Sequence, residues 1–175
     1  MNKNKIPKGI YYSFENLDRY DNFRNFVSTN KIDINSIIES FDISKKNCIH
    51  AEQVHGNKIA VVDKKNRGAL IKGVDALVTN TANLCLCIKT ADCLPLIFYD
   101  PTKKVLAVVH AGWKGTLKNI SANSVRRMTD QFKINPKDLI IGIGPSIGPK
   151  DYLVKYDVAG KFIENGYRDF LSKVS

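Results

Sequence analysis

Three side chains that can ligate a metal, His55, Cys93 and His110, stand near turn-forming residues. They occur in "QVHGN", "ADCLP" and "VVHAGW", each beside an apolar stretch. Side chains at strand ends lie at the rim of a sheet, where binding sites are often built. Two imidazoles and one thiolate suit zinc, and three protein ligands leave a fourth position open. By spacing alone, however, a buried cysteine and hydrogen-bonded histidines are the commoner explanation.

The other metal-capable residues receive structural interpretations. His50 lies five residues before His55, so an extended segment would place the two on opposite faces, and we interpret His50 as structural. Cys85 and Cys87 are two apart in a predicted strand, which predicts two small core residues on one face. The absence of any Cys-x-x-Cys pair excludes a zinc ribbon or a thioredoxin motif, and a disulfide scaffold is not expected.

Composition limits the class of protein. The 175 residues suit one domain, and 43% hydrophobic and 25% charged residues are typical of a globular protein. No apolar run is long enough to span a bilayer and no export signal is visible, so the prediction is a cytoplasmic protein with no membrane partner. The net charge of +10 is dispersed, which argues against nucleic acid as a partner.

Hydrophobic periodicity predicts an α+β fold. Strands are predicted at 9–14, 48–52, 58–63, 75–80, 84–90, 95–100 and 104–111, and a buried strand at 139–144. Helical segments are predicted within 21–30 and 33–41, with one long helix at 116–132 and a short one at 156–167. Pro101 favours a hairpin connection, and 144–152 is a glycine- and proline-rich loop.

Five ordered motifs carry a resemblance: "QVHGNKIAVVD", "GVDALVTN", "KTADCLPLIFYDP", "VLAVVHAGWKGT" and "IGIGPSIGPKDYLV". Together they resemble the bacterial laccase-domain family, whose members are labelled polyphenol oxidase, purine nucleoside phosphorylase or peptidoglycan editing factor. The resemblance implies a layered α/β/β/α fold with mixed sheets, similar to that of a group of cysteine hydrolases. It also implies that His55, Cys93 and His110 bind zinc.

The chain departs from the family pattern at several positions. Lys114 stands where the family has Arg, which keeps the charge and loses the bidentate fork. Tyr152, Leu153 and Val154 stand where the family usually has Tyr-Glu-Val. We expect residues 1–175 to form a single laccase-family domain that is shorter at its C-terminal end than the family.

The resemblance implies a zinc-dependent purine nucleoside enzyme. The expected reactions are phosphorolysis of adenosine, inosine or methylthioadenosine and deamination of adenosine, with nucleoside and phosphate as the small-molecule partners. Cys93, His110 and Asp92 are the candidate catalytic residues, Asp92 as a base or as a partner of the metal ligands. Gly144, Ser146 and Lys114 are the candidate substrate-binding residues, because loop 142–148 could offer backbone N–H groups to an anion.

Three alternatives stay open. Cys93 could be the nucleophile of an amidase that edits peptidoglycan precursors, with His110 or His55 as its base. One cysteine and two histidines also suit copper in a polyphenol oxidase, although Met1 and Met128 are the only methionines for an axial position. The chain could also be an inactive module in which zinc is structural. The oligomeric state is not predicted.

Overall fold

The computed structural model describes residues 1–29 and 31–172. Within them lie the strands β1 (Asn2–Ile6), β2 (Gly9–Ser13), β3 (Val27–Ser28), β4 (Cys48–Ala51), β5 (Ile59–Val61), β6 (Leu70–Ile71), β7 (Ala76–Thr79), β8 (Cys85–Cys87), β9 (Leu94–Asp100), β10 (Val105–Ala111) and β11 (Ile140–Ile143). The α-helices are α1 (Glu15–Asp18), α2 (Ile34–Ser40), α3 (Trp113–Leu117), α4 (Ile120–Phe132) and α5 (Tyr156–Glu164).

The central element is a five-stranded mixed sheet in the order β11-β9-β10-β7-β5. All its strand pairs are antiparallel except the parallel pair β5 and β7. The predicted hairpin connects β9 to β10 through Pro101, and the predicted strands from residue 48 onward are confirmed, apart from the burial of the last. β1, β2 and β3 form a separate antiparallel sheet, and β6, β4 and β8 form a small parallel one.

The period-2 alternation of the central strands supplies two apolar faces. On one face, Phe98 and Val109 pack with Ile120 and Met128 of α4. On the opposite face, Leu77 and Val108 pack against Ile49 of the small parallel sheet. This layering of helix, sheet and sheet confirms the prediction of a mixed fold of α-helices and several β-sheets.

The segment 21–30 is not helical, contrary to the prediction. Its described part, 21–29, is irregular apart from the short strand β3, and Asn30 lies outside the described residues. Phe23 stacks on Tyr99 of β9 with ring centroids 4.4 Å apart. The Asn25 side chain accepts the Phe14 N–H at 2.6 Å, which fixes an extended path. Tertiary contacts therefore override the helical spacing of the apolar residues.

The predicted long helix is two helices. α3 begins at Trp113, before the predicted start, and α4 begins at Ile120. Asn119 between them has φ of 55°, in the left-handed region that asparagine tolerates better than most residues. This break lets α3 change direction before α4 covers the sheet.

β11 is an edge strand and not the fully buried strand that its apolar sequence predicts. Ile140 faces the aromatic cluster that contains Tyr99 and Phe14. Ile141 and Ile143 are 44% and 62% exposed, at the edge of the face that carries α4. Among the described residues, none of the helices has the length and apolar character that crossing a bilayer requires.

Candidate metal centre

The structure brings His55, Cys93 and His110 together. One ligand atom of each lies within 4.8 Å of the other two. The rings of His55 and His110 meet edge to face, with centroids 4.8 Å apart. His110 is buried, Cys93 is half-buried and His55 is exposed, so the group opens to solvent on the side of His55.

Strand register explains how Cys93 and His110 meet. Leu94 pairs with Ala111 across β9 and β10, so Cys93, just before Leu94, lies beside Gly112, just after Ala111. His110 precedes Ala111 and therefore points to the opposite face of the sheet from the α4 core. The strand ends thus deliver both side chains to one rim, as their sequence positions predict.

Asp75 orients His110. This carboxylate has no exposed surface, and its Oδ1 lies 2.8 Å from His110 Nδ1. An ionised carboxylate can only accept, so we assign the hydrogen to Nδ1, which leaves the Nε2 lone pair free for a metal. A carboxylate behind a histidine is the usual support of a metal-binding imidazole, because it fixes both the tautomer and the ring orientation.

The same carboxylate holds the segment that carries His55. Asp75 accepts the backbone N–H groups of Val54, His55 and Gly56 at 3.3, 2.9 and 2.7 Å. Gln53 and His55 both have φ of 58°, and alternating left-handed residues turn successive N–H groups toward one anion. One buried charge therefore positions two of the three candidate ligands.

Sequence reasoning missed Asp75 as a site residue, although it lies within the quoted motif "GVDALVTN". A charged residue directly before three apolar strand residues, Ala76 to Val78, was the available signal. It also missed Gln53, whose side-chain amide pairs with both backbone groups of Lys89 and so connects the segments that precede His55 and Cys93.

Gly112 provides room for the three ligands. A Cβ atom at this position would lie 3.2 Å from both Cys93 Sγ and His55 Cδ2. Gly115, one helical turn further, packs its α-carbon against the loop of His55, and a Cβ there would lie 2.6 Å from the Gly56 carbonyl oxygen. The glycines of "HAGWKG" therefore allow α3 to approach the site closely.

We expect Gly115→Ala to destabilise the protein by about 1–3 kcal/mol, because a backbone carbonyl, unlike a flexible side chain, must move to admit the methyl group. Urea unfolding followed by circular dichroism measures the change. The matched control is Gly160→Ala in α5, where the added Cβ meets only Tyr156 at 3.9 Å. This control should be stabilising by about 0.5–1 kcal/mol, because alanine is the better helix former. Equal effects would contradict the close approach.

The glycine-rich loop is tied to the segment that carries Cys93. Gly144 N–H donates to the Pro95 carbonyl at 2.9 Å, and Ile147 N–H donates to the Asp92 carbonyl at 3.0 Å. These two N–H groups are therefore engaged within the protein, and the anion binding expected of loop 142–148 would depend on other groups. Ser146 is exposed, with its hydroxyl 3.5 Å from the Ile147 carbonyl.

Burial and nearby charges raise the pKa values of two groups, Cys93 and Tyr152. Burial, with the nearby carboxylates of Asp92 and Asp75, raises the pKa of the Cys93 thiol. Burial and, to a lesser extent, the charge of Cys93 raise the pKa of the Tyr152 hydroxyl. Asp92 is exposed, and Lys114 is exposed on α3 with its ammonium 5.5 Å from the centre of the Trp113 ring.

The comparisons with known proteins define the class. The model of the family described as multi-copper polyphenol oxidoreductase laccase matches residues 6–173. The chain therefore belongs to this family, which confirms the resemblance drawn from the five motifs.

Several similar proteins are named purine nucleoside phosphorylase. Purine nucleoside phosphorylase YlmD of Bacillus subtilis is 38% identical over 125 residues, which are 67% of this chain and 45% of the relative. Purine nucleoside phosphorylase RC0672 of Rickettsia conorii is 29% identical over 174 residues, which are 96% of this chain and 67% of the relative. The chain spans less than half the length of several of the curated relatives it matches.

Solved structures agree on the fold. The crystal structure of YlmD from Geobacillus stearothermophilus has a TM-score of 0.70 and 32% identity, over 73% of this chain and 50% of that one. The crystal structure of the Bacillus licheniformis hypothetical protein YfiH has a TM-score of 0.71 and 32% identity, over 74% and 52% of the two chains. The mixed architecture of several sheets and helices is thus shared with family members.

Proposed function

We propose that this chain is a zinc-dependent purine nucleoside enzyme, which cleaves adenosine, inosine or methylthioadenosine with phosphate and also deaminates adenosine. The observation that carries the proposal is the convergence of His55, Cys93 and His110 on one point, with Asp75 behind His110. The names of the similar proteins support a nucleoside and phosphate as substrates. A cytoplasmic location and a single domain over 1–175 stay predictions.

The three ligands fit zinc. Two imidazoles and one thiolate are borderline-soft donors of the type that zinc prefers, and Gly112 leaves their convergence point free of a side chain. Met128 supports zinc over a blue-copper site, because it is fully buried in the core between α4 and the sheet and does not supply an axial thioether. When bound, zinc supplies Lewis-acid chemistry at its open position.

The residues around the site would bind and orient the substrates. In phosphorolysis a phosphate oxygen forms a bond to the anomeric carbon while the bond to the purine nitrogen breaks, and the leaving purine takes up a proton. We assign phosphate attraction to the exposed Lys114 ammonium and substrate contact to the exposed Ser146 hydroxyl of the glycine-rich loop, whereas Gly144 is buried with its N–H engaged by Pro95. The exposed carboxylate of Asp92 next to Cys93 is the candidate proton carrier.

Product analysis by chromatography tests the proposal. Incubation of the purified chain with zinc, adenosine and phosphate should release adenine and ribose 1-phosphate. Omission of phosphate should abolish adenine, whereas inosine from deamination should persist because water is then the nucleophile. The two proposed reactions are thus separated in a single comparison.

Two variants control this experiment. Cys93→Ala should lose both products, since it removes one of three ligands. His50→Ala removes a half-buried histidine of β4 that is not among those ligands and should keep both. Absence of product from a folded, zinc-loaded chain would contradict the proposed activity of residues 1–175. Activity in metal-free protein that alkylation of Cys93 abolishes would instead favour the thiol nucleophile of an amidase.

A further inference from the structure

A second group of metal-capable side chains lies away from the candidate metal centre. Cys48 of β4 and Cys85 and Cys87 of β8 have their sulfur atoms within 4.8 Å of one another. The sulfurs of Cys85 and Cys87 are 3.8 Å apart. The chain has four cysteines, so this thiol cluster contains three of them and the candidate metal centre contains the fourth, Cys93.

Strand register builds the thiol cluster. β4 and β8 are parallel, and Cys48 pairs with Cys85. Registered neighbours share a face, and Cys87, two residues along, shares it too. The intervening residues Ile49 and Leu86 point the other way and pack in the apolar core. The sequence spacing had predicted one face for Cys85 and Cys87, but their partner on β4 became visible only with the register.

The sulfur spacing matches thiolate coordination of a metal. With a zinc–sulfur bond of about 2.3 Å, tetrahedral angles place two sulfurs about 3.8 Å apart. The Cys85 and Cys87 sulfurs already have this separation, and Cys48 reaches it by a side-chain adjustment of about 1 Å or less, by the same geometry. We propose that Cys48, Cys85 and Cys87 form a second metal site, which binds zinc through three thiolates and leaves its fourth position to solvent.

An open cleft beside the thiol cluster supports this site. Cys48 is buried, while Cys87 lines an open cleft of about 360 Å³ together with Leu70 and Lys89, which gives an ion a path to the sulfurs. A disulfide would join only two of the three sulfurs, so it does not account for the third sulfur of the cluster.

Cobalt(II) is the probe, because each cobalt–thiolate bond contributes to a near-ultraviolet charge-transfer band. The reduced, metal-free chain 1–175 is titrated with Co²⁺ and then with Zn²⁺, which should displace the cobalt. With both sites filled, all four cysteines contribute. Cys93→Ser should retain three of the four thiolates, or about three quarters of the band, and the triple variant Cys48→Ser/Cys85→Ser/Cys87→Ser should retain about one quarter.

This design tests metal binding at the two sites separately, and the second site does not depend on the proposed function. If the proposed nucleoside site binds no metal, Cys93→Ser leaves the band unchanged while the triple variant still abolishes it. The single variant Cys87→Ser, at a half-buried position, tests the thiol cluster should the triple variant not fold; it should remove one thiolate and weaken binding at least tenfold with an unchanged circular dichroism spectrum. A full band in the triple variant, or only two reactive thiols in the unreduced, metal-free protein, would overturn the second site.

Discussion

Asp75→Ala should abolish metal binding at the candidate metal centre and lower the free energy of unfolding by about 2–5 kcal/mol. The carboxylate is fully buried and accepts three backbone N–H groups besides its contact with His110. Its removal leaves these three part-buried donors without their acceptor and releases both the His110 ring and the loop of His55. Asp75→Asn should be milder, because the amide oxygen still accepts while its NH₂ group faces donors.

Two measurements separate stability from metal binding. Urea unfolding of chelated protein, followed by the fluorescence of the single tryptophan, Trp113, gives the stability without metal. Elemental analysis after desalting gives zinc per chain. The matched control is Asp100→Ala, because Asp100 is also buried and accepts two backbone N–H groups, from Thr102 and Lys103. It should lose stability and keep zinc at the centre. Normal zinc content in folded Asp75→Ala would refute the role given to Asp75.

The strands of the central sheet could be predicted because each either alternates apolar and polar residues or is apolar along its whole length. β1, with the sequence "NKNKI", carries no such pattern and forms only because it pairs with β2. The segment 21–29 shows the opposite failure, since its phenylalanines have helical spacing but pack individually on aromatic residues elsewhere. Both errors arise where long-range contacts, and not local periodicity, decide the conformation.

The candidate metal centre was predictable only through ordered motifs. Residue type and spacing leave His55, Cys93 and His110 as one hypothesis among several, because the turns that bring them together depend on register between β9, β10 and β7. Asp75 escaped because burial of a charge is decided by its partners, which the sequence does not display. The thiol cluster escaped for the same reason, since parallel pairing of β4 with β8 joins cysteines 37 positions apart (85 − 48).

Alanine substitution of any one candidate ligand should lower the zinc content by one ion per chain relative to the unsubstituted protein. The three variants are His55→Ala, Cys93→Ala and His110→Ala. Each removes one of three protein ligands, so turnover of adenosine should fall by more than about 100-fold, beyond the 10–100-fold typical of losing a supporting residue. His110→Ala should also lose stability, because the buried Asp75 carboxylate then lacks its side-chain partner. His55 is exposed, so His55→Ala should unfold at nearly the wild-type urea concentration.

His55→Ala is therefore the most informative of the three, because it changes the ligand set without disturbing the core. Loss of zinc together with loss of both products would tie activity to metal. Loss of zinc with activity retained would leave Cys93 as a nucleophile that needs no metal, and alkylation of Cys93 would then have to abolish turnover. Full zinc content would remove His55 from the ligand set. His50→Ala, treated identically, should keep both products and the zinc ion of the candidate metal centre, since that side chain lies outside the three-ligand group.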